Sequence, residues 1–350
     1  MISTKQLVKG NEAVIYGALM GGATHFFGYP ITPASEIAHA AAKVFRETGR
    51  HFLQAESEVS VINMLYGASA AGARVMTASS GPGIALMSEG ISYMAGAELP
   101  GVIVNVQRAG PGLGNIWPEQ SDYNMVLKGG GNGNYKNIVL APNSAQEMCD
   151  LTSLAFELSD KYRMVAFILA DAYIGQMMEP IEVPELYREA EKKDWALYGD
   201  KDSRHNLITS IFMNQKTMEA QNIKLQNKYS DVEKNEIRYE EIETSGAEIL
   251  IIAYGICARI ALTAVRELRK EGIKAGLFRP VSLFPFPGAR IKELASSVQS
   301  IEVVELSAGM MADDVELAVA GKVPVNRHCR LGGVVPTTSE IIAKIKGGLL

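Results

Sequence analysis

The sequence has little cysteine, no long apolar run and no long run of one charge. Three cysteines occur in 350 residues, Cys149, Cys257 and Cys329, and no CxxC pair exists. That excludes a disulfide framework and a cysteine-held zinc or iron–sulfur site within this chain. Three buried thiols in a reducing compartment are the expectation. No stretch approaches the ~20 apolar residues of a membrane span, and residues 1–14 lack the apolar core of a secretory leader. A cytoplasmic protein with no membrane partner is therefore expected. The net charge of -5 is spread along the chain without a basic run, which excludes nucleic acid as a main partner. The sequence holds no GxxxxGK[ST] phosphate loop and no HExxH zinc motif, and its five histidines are scattered. No metal site is expected in this chain.

What is present fits a globular α/β protein. Apolar residues make up 47% of the chain and charged residues 21%, and the length allows two domains of ~100–200 residues. Over residues 5–170, helix-like and strand-like segments alternate. Helices are expected at 5–20, 34–48, 59–71, 84–97 and 144–159, and strands at 24–27, 52–54, 75–78, 102–106, 138–140 and 165–169. Repeated strand–helix–strand units argue for a parallel, doubly wound sheet, with ligands held in loops at the carboxyl ends of its strands. Composition turns polar and charged beyond Pro180, and residues 204–240 read as helical. Strands near 248–253, 275–278, 301–304 and 326–331, with helices at 258–271 and 339–346, describe a second, smaller α/β unit. The expected division is 1–180, a charged linker over 181–245, and 246–350.

Three loops carry chemistry. In Gly28-Tyr29-Pro30-Ile31-Thr32-Pro33, Thr32 and Pro33 suit the cap and first turn of a helix, whose free N–H groups also attract anions. Ala55-Glu56-Ser57-Glu58-Val59 puts two carboxylates where a strand meets a helix. They serve as dipole partners there, or, if buried, as a proton shuttle. Asn105-Val106-Gln107-Arg108, followed by a glycine-rich stretch, places an arginine directly after a buried strand. That position suits bidentate recognition of a carboxylate or a phosphate, or a surface ion pair. GPGIA (81–85) and GPGLG (110–114) echo a dinucleotide fingerprint. The strands that follow them lack the acid needed ~20 residues on, so nicotinamide binding is not expected.

Taken together, GYPITP (28–33), AESEVSVINMLYGASAAGA (55–73), TASSGPG (77–83) and NVQRAGPGLG (105–114) resemble the α subunit of 2-oxoacid:ferredoxin oxidoreductases, in particular the 2-ketoisovalerate (branched-chain) type. The resemblance covers nearly the whole chain. It implies a pyrimidine-binding domain of the thiamine diphosphate (ThDP) fold and a transketolase C-terminal-like domain. It implies that Glu58, rather than Glu56, hydrogen-bonds the aminopyrimidine ring and promotes deprotonation of the thiazolium carbon. Thr32, Ile31 and Arg108 would meet the substrate, and Tyr29, Pro30, Ser80 and Gly81 the cofactor. The GDG motif that holds Mg2+ and diphosphate in ThDP enzymes is missing, as are cluster cysteines. The resemblance therefore implies a β subunit holding diphosphate and Mg2+ and a ferredoxin-like subunit with [4Fe–4S] clusters. ThDP would be shared across a subunit interface. Coenzyme A and ferredoxin would complete the reaction, which turns a 2-oxoacid into acyl-CoA and CO2. A 2-oxoglutarate-specific member of the family and a non-catalytic nucleotide-binding module are the alternatives.

Overall fold

The computed structural model describes residues 4–183 and 188–348. Residues 184–187 of the expected linker, and 1–3 and 349–350 of the expected flanking units, lie outside the described residues. The first sheet has seven strands in the spatial order Ser282–Phe284, Ile138–Leu140, Val165–Asp171, Gly101–Gln107, Val75–Ser79, His25–Gly28, His51–Gln54. All neighbours pair in parallel except the first two. Gly101–Gln107 and Val165–Asp171 are buried along their whole length, as expected for central parallel strands covered by helices on both faces. Helix Ser35–Glu47 is amphipathic, burying Ile37, Ala38, Ala41 and Phe45. Helix Ala145–Tyr162 starts at Ser144, whose side chain accepts from the Glu147 N–H at 3.1 Å.

The second sheet runs Val325–Cys329, Ser300–Glu305, Ile249–Ile252, Ala275–Pro280, Tyr239–Ile242, with only the last strand antiparallel. The two units share a continuous apolar core. Strand Ser282–Phe284 leaves the second unit to pair with Ile138–Leu140 of the first sheet. Among the described residues no helix is long and apolar enough to cross a membrane.

Three expectations from the sequence need correction. Residues 4–9 are not the start of a helix. They form a strand antiparallel to Met178–Val183, and the helix begins at Gly10. Pairing between segments so far apart leaves no trace in local periodicity. Gly10 marks the change, because a Cβ there would lie 2.1 Å from the Ile174 carbonyl oxygen. Within 204–240 only Gln215–Asn235 is helical, capped by Asn214, whose side chain accepts from Lys216 N–H at 3.0 Å and Thr217 N–H at 3.2 Å. Tyr239–Ile242 is a strand of the second sheet. The cysteines are not all buried either. Cys149 and Cys257 are buried, and burial pushes the Cys149 thiol up to about 12, but Cys329 on an edge strand is partly exposed.

Candidate active site

His25–Gly28 lies between His51–Gln54 and Val75–Ser79, so the order of winding reverses there. A crevice forms at the carboxyl ends of strands at such a switch point. The loops after these three strands and after Gly101–Gln107 meet on that rim.

Glu58 is the first residue of helix Glu58–Ala70. Ser57 caps this helix by accepting from the Ser60 N–H at 3.3 Å. The glutamate side chain is buried, with 5% of the residue exposed. It faces Gly83, where a Cβ would lie 2.5 Å from Glu58 Oε1 and 2.1 Å from Ser79 Oγ, so a larger residue would displace both side chains. Glu56 is exposed before the helix and accepts a hydrogen bond from Ser60 Oγ in its first turn. Of the two candidate acids, then, the fold buries Glu58 and leaves Glu56 exposed.

Ser79, Ser80 and Asn105 are also buried, and Ser79 Oγ, Ser80 Oγ and Asn105 Oδ1 have no hydrogen-bond partner. A buried polar atom left unpaired costs about 1–3 kcal/mol. Several on one rim mark a place where a polar ligand completes the bonding. Ser80 precedes helix Gly81–Gly96, and its side chain does not cap it. The TASSGPG stretch, read from sequence as a loop with the helix starting near 84, thus contributes the first helical turn. Gly81 abuts Asp122, where a Cβ would lie 2.7 Å from Oδ1. Asp122 accepts from Asn105 Nδ2 at 3.0 Å, and its own N–H donates to Gln107 Oε1 at 3.2 Å. Burial pushes the Asp122 carboxyl up to about 6. The Asn105 hydrogen bond and the Arg108 charge oppose that rise, and the Glu119 charge adds to it.

Arg108 reaches back across the rim. Its Nη1 donates to the Thr32 carbonyl at 2.7 Å and its Nη2 to the Leu113 carbonyl at 3.1 Å, while its Nε is buried without a partner. Tyr29, Pro30 and Thr32 are exposed, and Ile31 is half-buried against the core. Thr32 does not cap the next helix. The Thr32–Pro33 peptide is cis, a turn closes from the Ala34 N–H to the Ile31 carbonyl at 2.9 Å, and the helix begins at Ser35 without a side-chain cap. Two cavities adjoin the Arg108 loop. One of about 640 Å³ is lined by Thr32, Trp117 and Tyr173. The other, of about 740 Å³, lies between the two units and is lined by Gly81, Arg108, Asp122, Met310 and Leu331.

The structure places Glu58 against Gly83 beside Ser79, Gly81 against Asp122, and Arg108 on the Thr32 carbonyl. Tyr29, Pro30 and Ile31 line neither cavity. Glu119 and Asp122 were not expected in the site. They fall in the long glycine-rich stretch, and their only sequence signal is an acid at each end of Glu119-Gln120-Ser121-Asp122, just before the short helix Tyr123–Leu127.

A buried acid, glycines that leave room and unpaired hydroxyls suit the heterocyclic end of a cofactor. Among the described residues no group of three or more His, Cys, Asp or Glu could hold a metal ion. The fold and rim define a cofactor-binding α/β domain with a smaller α/β domain behind it. Residues 16–244 match the family model described as pyruvate flavodoxin/ferredoxin oxidoreductase, thiamine diphosphate-binding, and residues 247–341 match that of pyruvate:ferredoxin oxidoreductase core domain II. The chain is 56% identical over 344 residues to ketoisovalerate oxidoreductase subunit VorB of Methanothermobacter marburgensis, covering 97% of each. It is 35% identical to 2-oxoglutarate synthase subunit KorA of Archaeoglobus fulgidus, covering 94% of this chain and 93% of that one. A solved 2-oxoglutarate:ferredoxin oxidoreductase from Magnetococcus marinus, with 2-oxoglutarate, coenzyme A and succinyl-CoA bound, superposes with a TM-score of 0.90 at 26% identity. It covers 99% of this chain, which spans 65% of that longer one. A split-gene transketolase, at 16% identity and a TM-score of 0.60, shares the fold. The chain belongs to the 2-oxoacid:ferredoxin oxidoreductase family. It is a subunit of an oxidoreductase assembled with other subunits, and its first domain is the thiamine diphosphate-binding domain of that family.

Proposed function

We propose that this chain supplies the pyrimidine half of a ThDP site in a complex that oxidatively decarboxylates 2-ketoisovalerate and related branched-chain 2-oxoacids. The products are acyl-CoA and CO2, and ferredoxin takes the electrons. The buried Glu58 against Gly83 carries this reading. ThDP, when bound, supplies the nucleophilic carbon and the electron sink. Glu58 holds a hydrogen bond to a ring nitrogen of the aminopyrimidine and exchanges a proton there. A carboxyl group in a dry crevice suits that role. Ser80 and Gly81, with Tyr29 and Pro30, bound the cofactor, and the unpaired Ser80 hydroxyl is available to it. Arg108 turns its guanidinium to the substrate carboxylate beside Thr32 and Ile31. Its unpaired Nε and the fork geometry of arginine favour such a clamp.

The diphosphate and Mg2+ belong to a β subunit and the [4Fe–4S] clusters to a ferredoxin-like subunit. Coenzyme A enters the assembled complex. The branched-chain substrate is supported by the higher identity to the ketoisovalerate relative than to the 2-oxoglutarate one. The cavity between the domains adds to it. Its lining carries the carboxylates of Glu119 and Asp122 and one cation, Arg108. A second substrate carboxylate would meet no spare positive charge there.

The test is ferredoxin reduction by the reconstituted complex. Turnover with 2-ketoisovalerate should exceed that with 2-oxoglutarate at least tenfold in kcat/KM, and the reverse order would assign the complex to 2-oxoglutarate. Calorimetry on the isolated chain separates the remaining alternative. A nucleotide-binding module would bind a nucleotide stoichiometrically, whereas a half-site binds ThDP tightly only with its β partner.

A further inference from the structure

Residues 108–118 close on themselves. Arg108 pairs with Pro118 in an antiparallel bridge, the Ala109 N–H donates to the Trp117 carbonyl at 3.0 Å, and the Asn115 N–H donates to the Ala109 carbonyl at 3.0 Å. Gly114 has φ +54, and a Cβ there would lie 1.7 Å from the Ala109 carbonyl oxygen, so the turn requires glycine. Because Arg108 also donates to the Leu113 carbonyl, any movement of this loop moves the guanidinium. Burial does little to anchor the loop. Leu113, Ile116 and Trp117 are 81%, 54% and 63% exposed.

Polar bonds anchor it instead, and they lead to the second domain. Glu119 is buried and accepts three hydrogen bonds. Its Oε2 takes the Gly110 N–H at 2.9 Å and the Ser121 hydroxyl at 2.8 Å, and its Oε1 takes the Gly332 N–H at 2.7 Å. From the loop, Asn115 Nδ2 donates to the Gly332 carbonyl at 3.1 Å. Gly333, with φ +91, packs so closely on Trp117 that a Cβ would lie 2.3 Å from the Trp117 Cβ. One carboxylate thus fastens the loop that bears Arg108 to the Gly332–Gly333 turn of the other domain. Bonds to an ionised acceptor are about twice as strong as neutral ones.

We propose that Glu119 is a positioning residue: through it the Gly332–Gly333 turn sets the place of Arg108, and so the affinity of the complex for its 2-oxoacid. This rests on Arg108 as the carboxylate clamp. The second domain then tunes the site directly.

The assay is steady-state kinetics of the reconstituted complex carrying Glu119→Gln, Asn115→Ala or Arg108→Lys. Glu119→Gln keeps one acceptor oxygen and loses the other. Its KM for the oxoacid should rise about tenfold while kcat stays within about threefold, the pattern of lost ground-state positioning. Asn115 is exposed, so its alanine variant folds, and its KM should rise about threefold with the melting temperature unchanged. The KM for coenzyme A should not move in either variant. An oxoacid KM that is unchanged in both variants while Arg108→Lys raises it would overturn the positioning role. If Arg108→Lys itself leaves the KM unchanged, the carboxylate clamp is wrong and the positioning role falls with it.

Discussion

Two buried polar regions of this molecule, both built at the carboxyl ends of strands, differ in how completely they are bonded. At the seam between the domains each key group has its partners. Asp171 accepts from the Ile174 N–H at 3.0 Å and the Ile256 N–H at 2.8 Å. The Gln120 side chain donates to the Tyr254 carbonyl at 3.1 Å and accepts from the Leu306 N–H at 2.9 Å. Arg279, 1% exposed, grips both oxygens of Glu147 at 2.6 and 2.8 Å and Glu240 at 2.9 Å. On the rim, a few strands away, Ser79, Ser80 and Asn105 keep unpaired atoms, and Ser79 shares with Glu58 the contact at Gly83. A saturated network favours one arrangement of the two domains, whereas unpaired atoms clustered on a rim leave bonding capacity for a ligand. Burial alone therefore does not separate structure from function in this protein; the completeness of bonding in these two regions differs.

Substitutions that act on one region and spare the other test this contrast. The largest effect should come from the seam. Arg279→Met removes the guanidinium from Glu147, which keeps only the Asn143 N–H at 2.9 Å, and should lower stability by about 2 kcal/mol, measured by denaturant titration. Turnover of the surviving folded complex should be little changed. On the rim, Gly83→Ala drives a Cβ into Ser79 Oγ and Glu58. It should cut turnover by about 100-fold, because misplacing a reacting group by about an ångström costs that much, with the melting temperature altered far less than in Arg279→Met. If Gly83→Ala instead unfolds the chain and Arg279→Met abolishes turnover, the assignment of the two regions is reversed.

The smallest effect concerns pH. Burial raises the Asp122 carboxyl to about 6, so the folded chain binds a proton there that the unfolded chain has already lost. Between about pH 4 and 6 this group makes stability fall as pH rises, and the penalty is complete above pH 6. Asp122→Asn should therefore raise stability at pH 7 by about 1 kcal/mol and flatten that fall. Chemical denaturation at pH 4.5 and 7 checks both. A variant less stable than the parent at pH 7 would show that the Asn105 bond outweighs the cost of burying the charge.

Much of the rim was legible because short strands ending in glycine, proline and acid are local signals. The loops after His25–Gly28, His51–Gln54 and Gly101–Gln107 lie at the ends of the strands expected from the sequence, although Thr32 does not cap the helix that follows it. The choice of Glu58 over Glu56 came from the family resemblance; the residues alone left both open, and the fold buries only Glu58. What local signals could not carry is long-range pairing. Thr4–Lys9 is a strand only because Met178–Val183 lies beside it, and Ser282–Phe284 joins the first sheet from the second domain. Glu119 and Asp122 were missed for the same reason. Their partners at Gly332, Gly110 and Gly81 are brought near by tertiary folding alone.

The most direct measurement is turnover of the reconstituted complex with Glu58→Gln, with bound ThDP quantified in the same sample. A proton-exchanging acid predicts that turnover falls by about 10³-fold or more while the complex assembles and retains its cofactor. Parental turnover with full ThDP content would remove Glu58 from the chemistry and contradict the account.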